Sequence, residues 1–221
     1  MRPNGTTRGR ILDAALKVFS KGGYLGATTR EIATRAGVAE LTLFRHFSSK
    51  ERLFEEVIRT YSFLPTLKGL IPEISRMPYE EALALVARRF LETLVLRKDM
   101  VRIMHSEVQR YPEKIHKMYH AFVDGTIETL ASYFSEMQGK GILRKFDAEW
   151  GARAFFGMFF SYFNSQEIMM RKKYRPTDPD RVFEEYVGVF ARGTMTTQPV
   201  LVRPDRYARS GRRVSDSTVK Q

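Results

Sequence analysis

Residues 27–50 read ATTREIATRAGVAELTLFRHFSSK, and the fold turns on this stretch. It divides into two short helices joined at Gly37, with a third opening at the Ser-Ser-Lys. Thr28 and Glu31 stand three apart, the pattern of a capping box in which each side chain satisfies a free backbone N–H. Ala33, Gly37 and Leu43 then follow at steps of four and six, which suits a tight helix-turn-helix. A small Ala33 lets the second helix cross close, Gly37 tolerates a left-handed turn, and Leu43 packs back into the crevice. The outer face of the second helix is left with Thr42, Phe44, Arg45 and His46, a set suited to the major groove of duplex DNA.

Outward from this stretch, helical periodicity dominates and strand alternation is absent. Thr6 or Thr7 caps a first helix whose Ile11, Ala15, Val18 and Phe19 recur on one face, and Gly22-Gly23 is expected to stop it. Ser48 with Glu51 reads as a second capping box, opening a helix that carries Leu53, Phe54 and Val57. Pro65 and Pro72 mark residues 63–78 as a junction between two units. Beyond it, helices are expected over Tyr79–Arg97, Asp99–Arg110, Pro112–Gln138, Ala148–Met170 and from Pro179 to about Gly193, where Pro at the first position costs nothing. The expectation is an all-α chain of about nine helices. Residues 1–60 would form a three-helix helix-turn-helix unit and 61–197 a helical bundle. Residues 198–221, rich in Arg, Ser and Asp, would form a disordered basic tail.

The formal charge of +12 favours a polyanionic partner. It is unevenly placed: residues 1–60 hold 11 Lys/Arg against 6 Asp/Glu, residues 61–197 hold 20 against 17, and residues 198–221 hold 6 against 2. The excess therefore sits at the two ends, the first of which carries the helix-turn-helix. Cysteine is absent, so disulfides are excluded, which fits a cytoplasmic protein. The longest uncharged run, Ala154–Gln166, is thirteen residues, short of the roughly 20 that a membrane span needs. No membrane partner and no export signal is expected. The sequence carries no phosphate-binding glycine loop, nucleophile–base motif or zinc-protease motif, so neither an enzyme nor a cofactor is expected.

Residues 8–58 resemble the DNA-binding domain of the TetR family of bacterial transcriptional regulators. The resemblance rests on Ile11-Leu12-Ala14-Ala15, Phe19, Gly23-Tyr24, Thr28, Ile32-Ala33, Ala36-Gly37-Val38, Thr42-Leu43-Phe44, His46-Phe47, Ser49-Lys50-Glu51 and Leu53. It implies a homodimer that binds double-stranded DNA, with an all-helical C-terminal domain that takes a small-molecule effector and releases the DNA. Position by position, it implies phosphate contacts from Thr28, Thr29, Arg30 and Lys50, and groove contacts from Thr42, Phe44, Arg45 and His46. Two residues differ from the common pattern: Ala39 stands where a capping Ser is frequent, and Phe44 where Tyr is frequent.

The C-terminal half offers candidates of its own. On the helix from Ala148, the small residues Ala154, Gly157, Ser161 and Ser165 recur at helical steps and make a flat face. With Phe183, Tyr186 and Phe190 of the last helix, this face is the expected dimer interface. Phe90, Met104, His105, Phe122, Trp150, Phe156 and Phe160 are expected to line a pocket for a lipophilic effector, although a plain core would carry the same residues. Glu113, His116, His120 and Asp124 fall on one helix face; two His four apart can hold a metal, but such a row more commonly faces solvent, and no metal is expected.

Overall fold

A computed structural model describes residues 5–196; the expected basic tail lies outside the described residues. The chain is all-α. The helices run α1 (Thr7–Gly26), α2 (Thr29–Ala36), α3 (Glu40–His46), α4 (Lys50–Tyr61), α5 (Phe63–Ile74), α6 (Tyr79–Leu96), α7 (Lys98–Glu107), α8 (Glu113–Gly139), α9 (Ala148–Phe163) and α10 (Pro179–Thr194). Among the described residues the only β pairing is an isolated bridge between Leu143 and Met195.

Among the described residues ten α-helices stand, in keeping with the about nine expected. The extra one, α5, occupies the segment read as a junction. Phe63, Leu67 and Ile74 are buried at helical spacing, and that face outweighs the proline signals. Pro65 falls in the first turn, where no N–H is missed, and Pro72 comes only two residues before the end. The Gly22-Gly23 stop is also corrected. Helical structure resumes to Gly26 across a break at Gly23, whose φ of 69° and ψ of −177° are open only to glycine. A Cβ at Gly23 would fall 2.0 Å from a carboxylate oxygen of Glu107, so α1 and α7 approach closely there. The cap of α4 is Ser49, whose hydroxyl accepts from the Arg52 N–H at 3.2 Å. The expected Ser48–Glu51 box does not form, since the cap lies one residue later; the Glu51 carboxylate accepts from the Tyr24 hydroxyl at 2.6 Å.

Two apolar cores result. The first joins α1–α4 around Phe19, Ile32, Leu43, Leu53 and Phe54, all without solvent exposure. Burying each such side chain contributes about 1.5–3 kcal/mol. This core also takes in Met100 and Met104 of α7 and Tyr111 and Ile115 at the start of α8, so the N-terminal unit is seated directly on α7. The second core joins α5, α6, α8, α9 and α10 around Leu83, Leu130, Phe134, Phe155 and Phe159.

Candidate functional site

The α2–α3 pair has the expected geometry. Thr28 caps α2, its hydroxyl accepting from the Glu31 N–H at 3.1 Å. Gly37 sits in the left-handed region (φ 65°, ψ 41°) and ends α2 with two backbone bonds, Gly37 N–H to the Thr34 carbonyl and Val38 N–H to the Ala33 carbonyl. This is a Schellman stop. Ala33 and Leu43 are buried beneath the turn. The Thr29 hydroxyl donates to a Glu40 carboxylate oxygen at 2.6 Å, tying the first turn of α2 to that of α3. Ala39 precedes α3 and makes no side-chain cap.

The face of α3 away from this core is open. Arg45 and His46 are exposed, Phe44 is 42% exposed and Leu41 65%, while Thr42 is half-buried. Thr28 and Arg30 of α2 are exposed beside them and Thr29 is half-buried. Lys50 differs from the rest. Its ammonium lies 4.6 Å from the centroid of the Tyr24 ring, and burial lowers its pKa against the raising fields of Glu51 and Glu107. It is drawn inward to the seam between α1 and α4.

A second site lies between the two cores. A cavity of about 420 Å³ is enclosed by α4 and α6–α9, with walls built largely from apolar side chains such as Phe90, Leu94, Met104, Phe122, Phe156 and Phe160. It reaches solvent where His105 and Gly157 are exposed. The His105 ring stands edge-on to Phe160 at 5.5 Å between centroids. Two cations border the space. Arg153 is paired with Glu149 at 2.9 Å and Asp124 at 3.2 Å. Arg97, between α6 and α7, lies 4.9 Å over the Tyr61 ring, and burial lowers its pKa against the raising influence of Tyr61 and Asp13.

Two family models divide the chain between them. Residues 11–57 match the tetR family of bacterial regulatory proteins, and residues 81–193 match the C-terminal domain of AefR-like transcriptional repressors. The chain belongs to the tetR family of bacterial transcriptional regulators. It is 28% identical over 193 residues to YvkB of Bacillus subtilis, an uncharacterized HTH-type transcriptional regulator, covering 87% of this chain and 98% of that one. A Mesorhizobium loti structure assigned to the same family superposes with a TM-score of 0.68 at 24% identity, covering 86% and 97% of the two chains. FadR from Bacillus subtilis, solved with stearoyl-CoA, superposes at 0.63 with 20% identity, covering 83% and 97%.

In this tetR-family chain, six of the seven residues expected around a pocket do border the cavity: Phe90, Met104, His105, Phe122, Phe156 and Phe160. Trp150 does not. It stands 69% exposed in the first turn of α9, because Ala148 and Ala152 are the residues that this turn packs against the core. The interface expectation divides in the same way. Ala154, Gly157 and Ser161 are exposed in a strip and Ser165 is half-buried, with Gly157 also bordering the cavity mouth. Phe183 and Phe190 are buried in the bundle core: Phe183 stacks on Phe159 at 5.8 Å and Phe190 meets Phe155 at 5.2 Å. Tyr186 is half-buried, and the exposed apolar residue of α10 is Val189.

Leu41, Tyr61, Ser62 and Arg97 are among the residues of these sites that the sequence does not reveal. Leu41 is 65% exposed, and an apolar side chain on a short helix gives no sign in the sequence of facing outward. Tyr61 and Arg97 gave no signal, since a lone Tyr and a lone Arg at helix ends look like ordinary surface residues. Among the described residues no helix is long and apolar enough to cross a membrane.

Proposed function

We propose that this chain is a homodimeric, effector-controlled regulator that represses transcription from a palindromic operator. In this reading residues 1–60 are the DNA-binding unit and residues 61–197 the sensing and dimerising unit. The observation that carries it is the pairing of an open, polar-and-apolar α3 face with a cavity whose wall includes α4, the helix that follows α3. Arg45 would pair with a guanine edge, and Leu41 and Phe44 would meet thymine methyls. Thr28 and Arg30 would hold phosphates beside the groove. The exposed strip Ala154–Gly157–Ser161 on α9, continued by Tyr186 and Val189 of α10, supports a two-fold contact. Two-fold symmetry would place the recognition helices in successive major grooves, about 34 Å apart.

A lipophilic effector fits the walls of the cavity, and its volume lies within the roughly 300–1,000 Å³ usual for small-molecule sites. The stearoyl-CoA carried by the FadR neighbour is consistent with an apolar chain as part of the effector. Bound there, the effector would favour a conformer whose recognition helices no longer match the groove spacing. Its differential affinity for the two conformers is the driving force. A regulator without an effector would call for a filled bundle, and the open space weighs against it. An enzyme would call for convergent acid–base groups; the cavity lining contains no carboxylate.

Arg45→Ala tests the reading. Specific operator binding should fall about 10- to 100-fold while nonspecific DNA binding changes much less, as read by titration of labelled duplexes at fixed salt. Equal losses on both would sink the assignment of α3.

A further inference from the structure

Burial normally removes charge or pairs it. The neighbouring cations are paired although partly exposed: Arg153 holds two carboxylates, and Lys98, next to Arg97 in the chain, lies 3.5 Å from Glu167. The more deeply placed Arg97 breaks the rule. Among the described residues no carboxylate forms an ion pair with it, and its Nε is buried without any hydrogen-bond partner. Its close neighbour is the face of Tyr61, whose own hydroxyl is spent on the Asp13 carboxylate of α1. A second orphan follows Tyr61 in the chain: the Ser62 hydroxyl, between α4 and α5, is buried with no partner, and Ser62 also borders the cavity. Six buried side-chain atoms lack partners among the described residues, and these two are the ones whose residues line the cavity.

We propose that the Arg97 guanidinium, with the Ser62 hydroxyl, is the receptor for the carboxylate head of an amphipathic effector whose apolar chain fills the space between Phe90, Met104, Phe122, Phe156 and Phe160. The proposal rests on the reading of the cavity as an effector site and names the chemistry of its occupant. A guanidinium presents a planar fork that a carboxylate matches with two parallel, charge-assisted hydrogen bonds. The desolvation that makes Arg97 costly in the empty protein is what makes such a pair strong. The remainder of the site fits a chain: Phe, Met, Leu, Ile and Val side chains dominate the wall. The position also couples the head group to the DNA-binding helices. Arg97 stacks on the last residue of α4, and that residue is bonded to α1. A carboxylate competing for the guanidinium would loosen its hold on Tyr61, so ligation at Arg97 acts directly on the helix that follows α3.

The test is calorimetric titration of the full-length protein with decanoate, decanol and decanoyl-CoA, repeated on Arg97→Met and Arg97→Lys. Decanoate should bind the wild type at least about tenfold more tightly than decanol. Arg97→Met should lose that preference while keeping its affinity for decanol, and Arg97→Lys should retain part of it. Thermal unfolding without ligand gives an independent reading. Removal of a half-buried cation with no ion-pair partner should leave the midpoint unchanged or raise it, whereas a lowered midpoint would mark a merely structural arginine and overturn the assignment. Decanol and decanoate binding equally, with no effect of Arg97→Met, would overturn the head-group assignment and leave the effector cavity standing. Decanoyl-CoA binding more tightly than decanoate regardless of Arg97 would overturn it in the same way. Failure of the wild type to bind any of the three would remove both the cavity reading and the assignment built on it.

Discussion

Around Phe54 the N-terminal helices close on themselves: its ring meets Phe19 at 4.8 Å, Tyr24 at 5.1 Å and Tyr111 at 6.4 Å between centroids, and Phe54 has no solvent exposure. Around Phe160, in the other half of the chain, rings of the same kind face about 420 Å³ of open space. Both regions are aromatic-rich and both are built by helices. The first uses its apolar residues to fix one arrangement of α1–α4, so that the α3 face is presented rigidly. The second leaves its side chains short of partners, so that a ligand can supply the missing contacts. Shape constancy belongs to the head and responsiveness to the cavity.

The sharpest way to break that comparison is truncation. Phe54→Ala should destabilise the protein by about 3–5 kcal/mol, since it removes a fully packed ring and leaves a void. Phe160→Ala should cost only about 1 kcal/mol, because one side of that ring already lacks neighbours. Urea unfolding followed by circular dichroism measures both. Equal losses would mean that the cavity is closed and packed in solution.

The head was legible because its chemistry is local. A cap at Thr28, a left-handed Gly37 and the spacing of Ala33 and Leu43 are each set within a few residues, and each holds in three dimensions. Two local signals misled. Pro65 and Pro72 hid α5, whose buried face pairs with α6 and α8. Glu51 falls outside the expected box because Ser49 takes the cap, and its carboxylate bonds Tyr24, 27 residues away. The cavity was only half legible. Five apolar residues and His105 read from the sequence border it, but apolar residues of the same kind describe a solid core, and Trp150 stands outside the cavity. Arg97 could not be found at all, since its meaning lies in what is missing around it, and absence of a partner has no sequence pattern.

Enlarging a small residue in each region should give opposite signs. Ala33→Leu places a bulky side chain beneath the α2–α3 turn, where nothing can yield, and should destabilise by about 1–3 kcal/mol. Thr126→Leu puts added carbon into the cavity wall. The threonine hydroxyl bonds only the Phe122 carbonyl of its own helix, so little is lost. This change should stabilise the protein by about 1 kcal/mol and weaken decanoate binding. Thermal midpoints and the titration described above would register both. A destabilised Thr126→Leu that still binds ligand would contradict a spacious cavity.

The smallest effect concerns the seam between α1 and α4 within the N-terminal region. The Tyr24 hydroxyl bond holds the Glu51 carboxyl at about 2, below its ordinary 4.5, with help from the Ser49 cap and the Lys114 charge, and against some desolvation. A carboxylate depressed in the folded state stabilises the fold above its unfolded pKa and loses that contribution as pH falls through the folded value. The Glu51 contribution should therefore be complete at pH 7, decline from about pH 4.5 and be nearly gone at pH 2. Glu51→Gln removes it at every pH. The wild type should melt a few degrees above Glu51→Gln at neutral pH, by roughly 2–5 °C for a chain of this size, with the two curves converging in acid. A gap that stayed constant from pH 7 to pH 2 would show that the Tyr24–Glu51 contact acts as a neutral hydrogen bond. The α1–α4 seam would then carry no charge-dependent stability, and the head would owe its rigidity to packing alone.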